Sequence, residues 1–209
     1  QLHYDWHWQW DYGCGDMGNQ GVHEMDMARW ALGVGLPSKI QATGGHFMFD
    51  DDQETPNSLV CTFEYPREKK ILQFETRHWI SNYEGNFGEK GENNVGVLVL
   101  GSEGYMELEY FGYRVFLGKK REPGPTGKSE DRPWACFIEA VRSGKRSDLM
   151  PDIEEGHLSS ALCHLGNIAY RTNRTIHFDP ATETILDDSD ASALLTRPYR
   201  EPFVVMAVS

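Results

Sequence analysis

Positive charge is scarce in this chain. Its 209 residues carry 20 Lys and Arg against 32 Asp and Glu, a formal net charge of −12. Nucleic acid is not an expected partner, because phosphate binding needs a basic face and the longest basic cluster, Lys119–Lys120–Arg121, is a short loop segment. No apolar run approaches the roughly 20 residues that a membrane span requires, so no membrane association is expected. Cysteine is sparse as well: Cys14, Cys61, Cys136 and Cys163 are widely spaced and no CxxC occurs. That spacing signals neither a zinc ribbon nor a redox pair and reads as free thiols or buried small hydrophobes. A starting methionine and a secretory leader are missing too. The chain opens in mid-pattern with QLHYDWHW, as a fragment would.

Aromatics are plentiful, at 12 % of the chain, and many of them gather at the start. Residues 6–26 read WHWQWDYGCGDMGNQGVHEMD. Over 2–10, Leu2, Tyr4, Trp6, Trp8 and Trp10 alternate with His3, Asp5, His7 and Gln9, a period of two that predicts a strand with one aromatic face. Gly13, Gly15 and Gly18 predict a tight turn, and Asp16 is a candidate N-cap. From about Met17 to Leu32 the spacing becomes helical, with Val22, Met25, Arg29 and Leu32 on one side and Asn19, His23, Asp26 and Trp30 on another. Gly33 ends this helix and Pro37 blocks its resumption.

Period two then returns. Residues 39–49 predict a strand with a bulge at Gly44–Gly45. Residues 58–65 and 70–79 predict a hairpin, with Leu59, Cys61, Phe63 and Tyr65 sharing a face. Residues 81–94, rich in Gly, Asn and Glu, read as an exposed loop. Strands are expected at 95–100, 104–110 and 113–117, a Pro/Gly/charge linker at 119–131, and an amphipathic helix at 134–143. A longer helix at about 152–172 has Asp152 as cap, and a short strand at 175–178 and a helical piece near 190–195 follow. Strands in succession, joined by short turns, with helices gathered at the ends, define an α+β fold: a mostly antiparallel sheet of about six or seven strands with helices packed on one face.

Asn19 and His23 sit one helical turn apart on a shared face that Asp26 and Trp30 continue. Histidine is suited to proton exchange near neutral pH. A carboxamide one turn away can donate and accept, and Asp26 could orient the imidazole. Trp6 and Trp8 next to this helix could face the C–H surfaces of a sugar or cyclitol. GCGDMG at 13–18 matches GxGxxG literally, but no parallel strand–turn–helix unit surrounds it and no acid follows at 33–43, so a dinucleotide site is not expected there. His157 and His164, seven apart, suit a packed helix face better than a metal. Asp50–Asp52 with Glu54 lacks the spacing of a calcium loop and reads as a solvated turn; no metal site is expected.

The run N-Q-G-V-H-E-M-D (Asn19 to Asp26) is similar to the D-x-G-x-H-x-x-D signature of the Gfo/Idh/MocA oxidoreductases. VGVLVLGSEGYMEL (95–108), YRVFLGKK (113–120), DIEEGHLSSALCHLGNIAYR (152–171) and ALLTRPYREPFVV (193–205) also resemble the C-terminal half of bacterial members, in order. The resemblance implies that 1–209 is a single C-terminal substrate-binding and oligomerisation domain. NAD or NADP would be bound mainly by an N-terminal Rossmann domain that also supplies an E-K-P lysine, a motif this chain does not contain. It implies His23 as catalytic acid/base. Asn19 stands where the family commonly has aspartate and would hydrogen-bond the substrate hydroxyl. Trp6, His7, Trp8, Asp26 and Arg77 are candidate substrate contacts. The expected partners are a sugar-like small molecule and further copies of the chain, joined through the sheet. The expected compartment is the cytoplasm, or the periplasm after export in folded form. Three functions stay open: an NAD(P)-dependent oxidoreductase of a sugar, cyclitol or glycoside, a relative that cleaves glycosides through transient oxidation, and a non-catalytic sugar-binding or assembly module.

Overall fold

The computed structural model describes residues 3–78, 95–129 and 133–205; the stretch read as a loop at 81–94 lies outside them. The clearest alternation in the sequence forms strand β2 (Ser58–Tyr65), which buries Leu59, Cys61, Phe63 and Tyr65 and half-exposes the residues between them. β3 (Lys70–Arg77) returns beside it, with Tyr65 opposite Lys70, so the predicted hairpin forms. β1 (Lys39–Gly45) pairs on the other side in unbroken register, from Lys39 opposite Glu64 to Gly45 opposite Ser58. The bulge expected at Gly44–Gly45 is absent. Glycine is needed at 44 for close approach instead, since a Cβ there would lie 2.3 Å from the Ser58 carbonyl oxygen.

β8 (Ile176–Asp179) and β9 (Thr184–Ile185) complete a five-stranded sheet in the order β3-β2-β1-β8-β9. A second sheet runs β4 (Val97–Leu100), β5 (Gly104–Glu109), β6 (Gly112–Leu117) and β7 (Glu122–Lys128). All pairs are antiparallel. The α+β class therefore stands, with nine strands among the described residues in two sheets rather than six or seven in one. Part of the difference is β7, the EPGPTGK segment expected to be linker. Proline is tolerated in a strand at a sheet edge, where its missing N–H faces no partner. β7 is such an edge, and its pairing with β6 shifts register between Arg114 and Phe116.

The long helix α4 (Ile153–Thr172) starts as its sequence requires: the Asp152 carboxylate accepts from Glu154 N at 3.3 Å. α4 lies against β1 and β8, and α2 (Gly21–Leu32) lies against α4, β3 and β4. Gly33, at φ +60°, caps α2 in the left-handed region, as expected. α3 (Pro133–Ser143) and α5 (Ser189–Ala193) also form where expected. One core joins Ile40, Phe63, Leu162, Leu165 and Ile176 with Val97 and Leu108 of the second sheet. Burying each such side chain stabilises the fold by about 1.5–3 kcal/mol.

The aromatic amino-terminal segment is not a strand. Asp5–Trp8 is a turn of 3-10 helix, and the side chain it buries is His7, not the tryptophans. His7 Nδ1 bonds the Tyr4 carbonyl at 2.6 Å, and its ring packs against Tyr4, Trp6 and Trp8 with centroids 5.0, 5.8 and 4.4 Å away. The Trp8 carbonyl accepts from Glu54 N and Thr55 N, both at 3.1 Å, so this turn is fastened to the β1–β2 connection. The helix expected over 17–32 is also divided: α1 (Gly15–Gly18) ends at Asn19 and α2 begins at Gly21. Asp16 does not cap a helix; Cys14 holds the cap position, and the Asp16 carboxylate bonds His78.

Candidate functional site

The first turn of α2 carries His23 into solvent. Its ring meets the edge of Tyr110, centroids 6.0 Å apart, from the bend between β5 and β6. The Tyr110 hydroxyl donates to Glu24 Oε1 at 2.7 Å and accepts from the Gln20 carboxamide, which itself donates to Glu24 at 3.1 Å. Partial burial, reinforced by the Glu24 carboxylate, pushes the Tyr110 phenol up to about 12. The phenol thus stays a neutral donor across the physiological range. Asn19 lies exposed at the α1–α2 junction, its backbone N–H bonded to the Gly15 carbonyl at 2.9 Å. Asn19 and His23 are thus both exposed, but Asn19 ends α1 and His23 belongs to α2, so the single helix expected to stack them one turn apart is broken between them.

Asp26 does not join them. Its Oδ1 accepts from Ser159 Oγ at 2.6 Å and lies 3.8 Å from Arg29 Nη2. Arg29 is buried and also pairs with Glu155, Ser159 Oγ at 3.0 Å and the Val34 carbonyl at 3.2 Å. Asp26 thus serves the α2–α4 contact rather than orienting the imidazole. Arg77 pairs with Glu75 at 3.2 Å near the end of β3. Trp6 is exposed, His7 is buried in its own turn, and Trp8 stands against His78 with centroids 5.6 Å apart. Trp30, on the face predicted with His23, is 75 % exposed.

A second polar cluster was not visible in the sequence. The Asp16 carboxylate, at the start of α1, bonds His78 Nε2 and accepts from Thr76 Oγ1 at 3.3 Å. Burial alone would raise its pKa. The hydrogen bond and charge of His78 outweigh burial, with help from Trp8 and Thr76, and hold this carboxyl below its ordinary value. The Trp8 indole nitrogen is itself buried without a well-formed hydrogen bond. No local sequence pattern couples residues 16 and 78, or 20–24 and 110; only the strand order brings them together.

The glycines of the turn pack closely against the protein itself. A Cβ at Gly13 would lie 2.3 Å from the His7 backbone, one at Gly15 (φ +66°) 2.8 Å from Thr55, and one at Gly18 1.9 Å from Cys14 Sγ. These glycines permit close packing, and the turn follows a 3-10 segment rather than the parallel strand of a dinucleotide-binding unit. Among the described residues no group of three or more His, Cys, Asp or Glu could hold a metal ion, and no helix is long and apolar enough to cross a membrane. Surface cavities among the described residues include two of similar size. One, of about 480 Å³, lies among Trp10, Glu54, β1 and the end of α4; the other, of about 460 Å³, lies among Leu36, Tyr65, Arg67 and Pro180. His23 lines neither.

A family model described as "GFO/IDH/MocA C-terminal domain" matches residues 2–107, and one described as "Oxidoreductase family, C-terminal alpha/beta domain" matches 121–205. The chain belongs to the GFO/IDH/MocA oxidoreductase family, as its C-terminal domain. Among solved structures, it is similar to the WlbA dehydrogenase of Bordetella pertussis in complex with NADH and UDP-GlcNAcA. That likeness has a TM-score of 0.53 and 17 % identity, covering 83 % of this chain and 48 % of that one. It is similar also to a super-repressor mutant of Gal80p from Saccharomyces cerevisiae, with a TM-score of 0.55 and 8 % identity, covering 88 % and 51 %. The chain spans about half the length of these structures. No match is found among curated protein sequences.

Proposed function

We propose that the chain is the substrate-binding domain of an NAD(P)-dependent oxidoreductase acting on a sugar, cyclitol or glycoside, with His23 as acid/base. The exposed imidazole within N-Q-G-V-H-E-M-D, on the first turn of α2, carries this reading. Family membership supports the oxidoreductase class. The likeness to WlbA, whose structure holds NADH and UDP-GlcNAcA, supports a nicotinamide dinucleotide and a sugar-like substrate. A nicotinamide dinucleotide would be held by another part of a longer protein, where it would supply the hydride acceptor for the carbinol carbon of the substrate. In this chain, His23 takes the hydroxyl proton of that carbon as the C–O bond becomes a carbonyl, and returns it in the reverse direction. Asn19 cannot hold a charge, so it hydrogen-bonds the reacting oxygen. The edge of Tyr110 limits the tilt of the imidazole. Four unpaired cysteines support a reducing, cytoplasmic compartment. The exposed Leu98 and Leu100 of β4 support assembly of copies through the second sheet.

His23→Ala in the full-length protein is expected to reduce turnover by about 10²–10⁴-fold, the usual worth of a general acid/base, as followed by cofactor absorbance over a panel of sugars and cyclitols. Undiminished turnover refutes the assignment. A relative that oxidises its sugar transiently would instead release aglycone at constant NADH. The likeness to Gal80p, named as a repressor, favours a second reading as a non-catalytic module; sugar binding with no cofactor reduction by the full-length protein would select it.

A further inference from the structure

We infer that the groove between Trp10, Glu54 and the C-terminal end of α4 is a second ligand site, separate from His23, that binds a neutral pyranose saccharide. Ala42, Thr43 and Gly44 of β1 form its floor, Tyr170, Arg171 and Asn173 one wall, and Trp10 and Glu54 the other, around about 480 Å³. That volume falls within the roughly 300–1,000 Å³ of small-molecule sites. The floor is kept bare by necessity, because the backbone of β2 forbids any side chain at Gly44.

The walls hold unused hydrogen-bonding capacity. The Arg171 guanidinium stands 4.8 Å from the centre of the Trp10 ring and makes no ion pair among the described residues. Glu54 Oε2 accepts from Trp10 N at 2.8 Å, and Oε1 takes no hydrogen bond from the described residues. The side chains of Tyr170 and Asn173 take no hydrogen-bond partner among the described residues either. Asn173 is held in the left-handed conformation that caps α4, with its N–H bonded to the Tyr170 carbonyl at 3.1 Å. Donors from Arg171, Asn173 and Tyr170 and acceptors from Glu54 and Asn173 thus line one groove. Vicinal sugar hydroxyls, which donate and accept together, match this set, and the aromatic carbon of Trp10 and Tyr170 in the lining offers apolar surface to the C–H bonds of a pyranose. One cation and one anion cancel across the groove, and the chain carries −12 overall, so a neutral sugar fits better than an acidic or phosphorylated one.

The test is calorimetric titration of the full-length protein with cellotriose, maltotriose and mannotriose, with trigalacturonate as the acidic comparison. At least one neutral trisaccharide is expected to bind, with affinity lowered tenfold or more by Trp10→Ala and by Arg171→Met, and unchanged by His23→Ala. Arg171 is exposed, so its variant reports on the site even where Trp10→Ala perturbs folding, which circular dichroism checks. The inference is overturned if no neutral trisaccharide binds, if trigalacturonate binds more tightly, if the Arg171 variant binds as the parent does, or if His23→Ala removes binding. A failure of His23 in turnover, with groove binding intact, would strike the proposed reaction alone.

Discussion

Two glycine-to-alanine changes should move stability in opposite directions. At Gly21, the first residue of α2, an added Cβ would lie 2.7 and 2.8 Å from the Phe74 ring and 3.1 Å from the Asp16 carbonyl oxygen. Gly21 and Phe74 are both buried, so neither ring nor helix can step aside freely. Overpacking of this kind costs about 1–3 kcal/mol. At Gly156, in the first turns of α4, a Cβ would meet nothing within 4 Å. There alanine should stabilise by about 0.5–1 kcal/mol through helix propensity. In a chain of this size each kcal/mol shifts Tm by roughly 2–4 °C, so Gly21→Ala should lower Tm by about 2–12 °C and Gly156→Ala should raise it by about 1–4 °C. Scanning calorimetry reads both. Adding Phe74→Leu to Gly21→Ala should recover part of the loss, a coupling of about 0.5–3 kcal/mol. Shifts of the same sign for both glycines, or strict additivity of the Gly21 and Phe74 changes, would refute the packing argument. A displaced Gly21 would also move His23 two residues later, so turnover should fall with stability in the first variant and not in the second.

Asn57 is fully buried, takes the Phe47 N–H on Oδ1 and donates to the Phe47 carbonyl, both at 2.8 Å. Asn57→Ala strands both backbone groups and should cost about 2–4 kcal/mol in urea unfolding. The Asp16 carboxyl is held below its ordinary value by His78, so its contribution is present above the unfolded value near 4 and is lost as pH falls through the folded value. The stability gap between the parent and Asp16→Asn should therefore be open at neutral pH and close in acid, as denaturation midpoints at several pH values would show; a constant gap contradicts the pairing. Arg29→Met leaves Ser159, Glu155 and the Val34 carbonyl without their donor. With both carboxylate partners about half exposed, the cost should be about 1–3 kcal/mol, read by the same method.

What the sequence displayed well were features that local physics decides. The alternation in 58–65, the Asp152 cap and the Gly33 stop each rest on residues within one element, and each forms as read. The aromatic alternation in WHWQW misled because period two says nothing about a partner strand; the structure offers carbonyl contacts to Glu54 and Thr55 and wraps the rings around His7 instead. EPGPTGK carries the composition of a linker, yet an edge position tolerates its prolines. A helix under His23 was legible, but the break between Asn19 and Gly21 and the neighbours of His23 were not: Tyr110 stands 87 residues away in the chain, and only the folding of β5 beside β6 delivers it. Asp26 and Trp30 show the limit of a helical wheel, which assigns a face without saying what stands opposite it.

The bend that carries Tyr110 has a mechanical consequence for α2. A one-residue slip of the β5–β6 hairpin would present Phe111 in its place, and a phenyl ring has no hydroxyl for Gln20 and Glu24 to grip. The pairing of two strands in the smaller sheet is thereby converted into an angular setting, fixing how far the helix can roll about its own axis and which way its imidazole leans.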